Sequence, residues 1–146
     1  MKISINIDEA LTDTEISVSC SRLTPEIERM LATLRILNQQ MTVTKDGETF
    51  ILDVSDIVFI ESVDRKTFVY TKKDVYESGL RLYEIEERLC ESGFFRASKS
   101  CIVQLRYIRS LRADIDRRIR VTLENGEKIM ASRQYADELK RRLGVQ

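Results

Sequence analysis

Three clusters of basic and hydroxyl side chains are the places in this sequence where recognition chemistry could sit. Arg65-Lys66, followed by Thr67, lies between two apolar runs. Phe94-Phe95-Arg96-Ala97-Ser98-Lys99-Ser100 comes after a helical pattern, and Ser132-Arg133-Gln134 opens another. Guanidinium and ammonium groups contact phosphates, arginine also reads guanine edges, and Ser or Gln can serve phosphate or base. A helix start adds backbone amides that favour an anion. Taken singly, each cluster also reads as ordinary solvated surface, since an arginine at a strand turn is usually just hydrated.

Covalent or metal chemistry has little to work with. The chain contains no histidine, and Cys20, Cys90 and Cys101 are widely spaced with no C-x-x-C pair. This removes the usual zinc patterns and the Ser-His-Asp and Cys-His nucleophilic arrangements. No phosphate-binding glycine loop is present. Reduced thiols, no metal, no cofactor and no enzymatic activity are expected, although carboxylate or lysine chemistry stays formally open.

The 24 basic and 24 acidic side chains cancel over the whole chain, but their distribution does not. Residues 1–44 hold 4 basic and 6 acidic groups, and residues 45–95 hold 7 and 12. Residues 96–146 hold 13 basic against 6 acidic, an excess of seven positive charges. A basic C-terminal third on a neutral chain suits a polyanion. The alternative is a solvated face whose charges balance on folding.

The elements that must position these clusters follow from patterning. With 42% hydrophobic and 33% charged residues over 146 positions, one domain of ordinary size can bury a core. The apolar runs are too short for a transmembrane helix, and the N-terminus alternates without forming a signal-peptide block, so a cytoplasmic location is expected. Residues 2–7 and 15–20 alternate as two strands joined near Thr12-Asp13. Thr24-Pro25-Glu26 starts a helix that runs to about Gln39 or Gln40. Ile27, Met30, Leu31, Leu34 and Leu37 form one apolar stripe on it.

From residue 41 the texture becomes β. Asp46-Gly47 marks a hairpin turn, and Asp56 to Glu61 is a buried strand by its near-continuous apolar run. Asp64-Arg65-Lys66 is a charged turn before the strand Thr67–Thr71. Leu82, Ile85 and Leu89 mark a helix closing near Ser92, with Gly93 beyond. Residues 94–100 read as a loop into the next strand. Tyr107–Leu111 and Arg120–Glu124 are strands around a polar turn at 114–118. Asn125-Gly126 leads into Lys128–Ala131, and Ser132 caps a last helix stopped by Gly144.

From about Asp56 to Leu143 the chain resembles the LytTR family of bacterial DNA-binding domains. The resemblance is carried by Asp56-Ile57-Val58-Phe59-Ile60-Glu61, Leu80 to Leu89, and Phe95-Arg96-x-x-Lys99-Ser100-x-Ile102-Val103 with Ile108. It continues in Asn125-Gly126 and in Ala131-Ser132-Arg133-x-Tyr135 leading to Leu139, in the family's order and spacing. It implies a mainly β, α+β fold of small antiparallel sheets with short helices, elongated, with loops entering successive major grooves. It also implies a homodimer on paired DNA repeats. Arg65, Lys66 and Thr67 match the first contact region, Ser98, Lys99 and Ser100 the second, and Arg133 and Gln134 the third. Family members commonly place His at Ser98, an aromatic at Cys101 and Asn at Gln104, so base preference is where this chain departs. Arg117 and Arg118, in a turn outside these motifs, receive no role.

Residues 1–40 are then a β-hairpin plus amphipathic helix serving dimerisation or regulation, and 41–146 the DNA-binding domain. Segment 1–40 is too short for the receiver domain that precedes many family members. Control is therefore expected from elsewhere, and the family offers a small membrane-protein partner as one source. The apolar stripe packs back on the module's own sheets, or else forms a dimer or docking face. The function expected is a DNA-binding transcriptional regulator. The competing reading is a protein-interaction module controlled by a partner without DNA readout. RNA binding is disfavoured because no aromatic pair stands on an expected exposed strand as a stacking platform.

Overall fold

The computed structural model describes residues 1–37 and 39–145. Helix α1 spans Pro25–Leu37, strand β1 Gln40–Lys45 and β2 Glu48–Asp53. After a 3-10 turn at Val54–Asp56 come β3 Phe59–Val63, β4 Lys66–Tyr70 and β5 Val75–Ser78. Helix α2 is Leu82–Leu89, followed by β6 Phe94–Ser98, β7 Cys101–Gln104 and a 3-10 turn at Leu105–Tyr107. The chain continues with β8 Ile108–Ala113, a 3-10 turn Ile115–Arg117, β9 Ile119–Leu123, β10 Lys128–Ala131 and helix α3 Arg133–Arg142.

The strands form a seven-stranded sheet in the order β2-β1-β5-β4-β3-β7-β6 and a three-stranded sheet in the order β10-β9-β8. Each pairing is antiparallel, so the fold is mainly β with three short helices, as expected.

Two cores explain the apolar runs. Ile60, Ile102 and Phe94 face one way and pack with Ile36 of α1 and Leu82, Ile85 and Leu89 of α2. Phe59, Val103, Phe95 and Ala97 face the other way, onto Val121 and Leu123 of β9 and Ala136 and Leu139 of α3. Successive side chains of a strand point to opposite faces, so only a strand covered on both faces needs apolar residues without alternation. Strands β3, β6 and β7 are that buried layer. Gln104, only 5% exposed, sits among them because its Nε2 donates to the Ile57 carbonyl at 2.6 Å, tying the 3-10 turn to β7.

Local signals succeed where the turn chemistry is strong. Asp46 and Gly47 have φ of 50° and 77°, and Lys45 pairs with Glu48 across the two-residue hairpin. The Thr24 hydroxyl accepts the Ile27 amide at 3.3 Å and so caps α1. At the end of α3, the Val145 amide bonds the Lys140 carbonyl and the Gly144 amide that of Arg141, with Gly144 at φ 71°. That double closure is the Schellman motif, which the left-handed glycine permits.

Several expectations are corrected. Residues 1–24 hold no strand, and Ile3, Ile5 and Ile7 are 83%, 88% and 87% exposed. Alternation supplies a strand face only when a neighbouring strand provides hydrogen bonds and a layer covers it. No strand among the described residues pairs with this segment. Asp56 belongs to a 3-10 turn and the strand begins at Phe59. Helix α2 closes at Leu89, short of Ser92, and residues 94–98 are a strand where a loop was expected. Strand β5 was not foreseen, because its short sequence Val75-Tyr76-Glu77-Ser78 lacks a clear apolar face.

Candidate nucleic-acid interface

Each basic cluster sits where the fold turns the chain back. Strands β3 and β4 are joined by Asp64-Arg65, with φ of 51° and 66°, between the paired residues Val63 and Lys66. This left-handed pair matches the twist of a tight hairpin but is unusual without asparagine or glycine. Lys99 and Ser100 turn β6 into β7, after a bulge between Arg96 and Ser98. There Arg96 does the shaping, since its Nε donates to the Ser98 carbonyl at 2.7 Å and its Nη2 to the Lys99 carbonyl at 2.6 Å. Its Nη1 is anchored on Glu86 of α2 at 2.8 Å. The Ser98 hydroxyl accepts the Ser100 amide at 3.2 Å, which closes the turn from inside.

Ser132 precedes α3 in the capping position, but its hydroxyl makes no cap bond. The first turn is closed instead by its carbonyl, which accepts the Tyr135 and Ala136 amides at 2.9 and 3.0 Å. Arg133 and Gln134 occupy the first turn, at the end of the helix that favours anions.

Two backbone bonds gather the clusters into one rim. The Ser62 amide donates to the Ser100 carbonyl at 2.8 Å, so the β3–β4 turn lies beside the β6–β7 turn. The Ser132 amide donates to the Ala97 carbonyl at 2.9 Å, so the start of α3 lies beside the same turn on its other flank. Residues about 35 apart in sequence thereby become neighbours. Arg65, Lys66, Lys99, Ser100, Arg133 and Gln134 are exposed there, and Ser98 is half-buried. Arg65, Lys66, Lys99 and Arg133 form no ion pair among the described residues. Thr67 departs from expectation. It is 4% exposed, on the same side of β4 as the core residue Val69, and so lies beneath the rim.

Sequence reasoning missed one element of this end. Ala113, Ile119 and Ala131 pair across the three-stranded sheet, so the 114–118 turn emerges at the same end as Ser132. Its place is set by register alone, which no local signal in the sequence displays. The positive excess of the C-terminal third also proves an imperfect guide. Arg96 holds Glu86, Arg106 donates to the Ser55 carbonyl at 2.6 Å, and Arg109 donates to the Glu124 carbonyl at 2.9 Å. Those arginines build the scaffold.

Helix α1 docks by a face other than its apolar stripe. Ile36 is 1% exposed and Ala32 packs beside it on the core. At about 100° per residue, Ile27, Met30, Leu31 and Leu34 project from the opposite side. None of the five stripe residues joins either core, four are half-buried, and Leu37 is 60% exposed. The stripe thus lies outside both cores, half-buried along most of its length.

Known proteins supply the comparison for this arrangement. Two Staphylococcus aureus proteins, of strains MSSA476 and N315, are each 27% identical over 147 residues, spanning 99% of this chain and 99% of the relative. Both carry the name "Uncharacterized HTH-type transcriptional regulator". A solved LytTr DNA-binding domain from Bacillus cereus superposes with a TM-score of 0.69 at 24% identity, covering 73% of this chain and 97% of that one. That likeness establishes the fold. Residues 47–144, which contain all the rim clusters, match the family model of the LytTr DNA-binding domain, and the chain belongs to that family.

Proposed function

We propose that this protein is a transcriptional regulator that binds double-stranded DNA sequence-specifically, the rim loops entering successive major grooves. The observation that carries the reading is the convergence of three basic clusters on one end through the Ser62–Ser100 and Ser132–Ala97 backbone bonds. Lys99, Arg133 and Gln134 are the base readers in this proposal, with reach to guanine or adenine edges. Arg65, Lys66 and Ser100 take phosphates and fix register. Ser98 shapes its turn by bonding Ser100, and Thr67 supports β4 from beneath. Family membership and the regulator names of the S. aureus relatives support the same reading.

Residues 41–146 are the proposed DNA-binding unit, with 1–40 as the dimerisation or regulatory segment. The partly exposed stripe of α1 is the proposed face for a second copy of this chain on paired DNA repeats. Glu28 and Arg35, one heptad apart on one flank, would oppose each other across an antiparallel two-fold axis. A membrane-protein partner docking on that stripe is the competing occupant.

The test selects duplexes from a random pool with the wild-type chain, then measures Lys99→Ala and Arg133→Ala on the selected site. Each is expected to weaken specific binding by about 1–3 kcal/mol with the thermal midpoint unchanged. A wild-type chain that retains no duplex favours the protein-interaction reading instead.

A further inference from the structure

The turn between β8 and β9 repeats the left-handed pair of the β3–β4 turn and carries an exposed cation and an exposed apolar side chain. Asp116 and Arg117 both adopt left-handed backbone, with φ of 58° and 62°, where side chains other than glycine are disfavoured. The turn is nonetheless firmly closed. The Asp114 amide donates to the Arg118 carbonyl at 2.9 Å and the Arg118 amide to the Ile115 carbonyl at 3.2 Å. The Asp114 carboxylate accepts the Ile115 amide at 2.8 Å, and this bond chiefly holds its carboxyl below the ordinary range. It stays ionised beside Arg120, at 3.3 Å.

Charge is nearly spent inside the turn. Asp114 pairs with Arg120, and Asp116 pairs with Arg118 at 3.6 Å. Arg117 is the cation of this turn that forms no ion pair among the described residues, and it is exposed. Beside it Ile115 is 73% exposed, an apolar side chain held out at a strained tip. The left-handed pair serves the hairpin itself, and what it does here is hold Arg117 and Ile115 out into solvent.

Position supplies the ligand. The register Ala113–Ile119–Ala131 puts this tip at the end of the small sheet from which Ser132 and Arg133 emerge. The Ser62–Ser100 and Ser132–Ala97 hydrogen bonds place Ser132 on the rim, and strand register alone brings this turn to the same end. We propose that the 114–118 hairpin tip is a further DNA-binding element, extending the footprint beyond the α3 loop. Arg117 binds a backbone phosphate there, and Ile115 packs on the adjoining deoxyribose. The proposal rests on the DNA-binding reading above and adds to it a contact outside the three matched clusters.

The test uses the full chain and the duplex that the wild-type chain selects from a random pool. Arg117→Ala is expected to weaken binding several-fold and to lower the slope of log K against log salt by about one. Arg117→Lys keeps that slope, and Ile115→Ala weakens binding without changing it. Ethylation interference adds position, since one phosphate at the α3 end of the footprint should matter to wild type and not to Arg117→Ala. Arg88→Ala, on α2, controls for loss of a positive charge in general. If Arg117→Ala matches wild type in affinity and slope while Lys99→Ala and Arg133→Ala lose binding, the proposal is overturned and the DNA-binding reading stands. If the wild-type chain selects no duplex, both fall.

Discussion

Arg96 donates from Nη2 to the carbonyl oxygen of Lys99 at 2.6 Å, so one arginine of the rim fixes the backbone that presents the next cation. The planar guanidinium makes this possible. Three of its nitrogens engage the Ser98 carbonyl, the Lys99 carbonyl and the Glu86 carboxylate at once. Lysine carries a positive charge but cannot divide it among three fixed directions.

Arg96→Lys is therefore expected to lower stability by about 1–2 kcal/mol and to weaken specific DNA binding without a contact to DNA being lost. Thermal melting and binding isotherms should move together for this variant. For Lys99→Ala, only the isotherm should move. A stable Arg96→Lys protein with wild-type affinity would show that the turn holds its shape unaided.

Arg65 offers the reverse trade. Its φ of 66° is left-handed, where a Cβ costs energy that glycine does not. Arg65→Gly should raise stability by about 1 kcal/mol while lowering the salt slope of DNA binding by about one. Denaturant melts and a salt titration read the two effects separately, and a loss of stability would count against the strain assigned to this turn.

Helix α1 separates core from surface in adjacent turns. Ile36→Ala removes a side chain that is 1% exposed and should cost about 2–5 kcal/mol. Met30→Glu with Leu34→Lys, outside both cores, should cost less stability than Ile36→Ala and leave the fold intact, yet abolish self-association. Sedimentation of the double variant checks this, and a dimer that survives it assigns the stripe elsewhere.

Cys101 lies at the foot of the β6–β7 turn, 6% exposed, and burial pushes its thiol from 9.0 up to about 12, with the nearby Glu61 charge adding to the effect. The folded state thus favours the protonated thiol. Its contribution to stability is complete below pH 9.0 and is lost as pH rises toward about 12, because the unfolded chain ionises first. Cys101→Ala should flatten that alkaline decline in denaturant melts. Thiol reagents should label the exposed Cys20 and Cys90 in the native protein and reach Cys101 only on unfolding.

Wherever a short stretch dictates its own geometry, the sequence by itself determined the outcome. Asp46-Gly47 specified a hairpin, Thr24-Pro25 a helix start and Gly144 a helix stop, since each depends on backbone conformations available locally. The near-continuous apolar run from Asp56 to Glu61 announced a buried strand, since a strand covered on both faces needs no alternation. Tertiary structure alone decided the rest. Ile3, Ile5 and Ile7 alternate as a strand should, yet no described strand pairs with them, and pairing is a property of two segments. The stripe on α1 was legible as apolar, but Ile36 was the residue that docked, because the sheet beneath selected which face to cover. Lys99 and Arg133 were legible as cations, and only the Ser132–Ala97 hydrogen bond made them neighbours. Arg117 joined the same end through the register of β8, β9 and β10, and register is fixed by long-range packing that no local window contains.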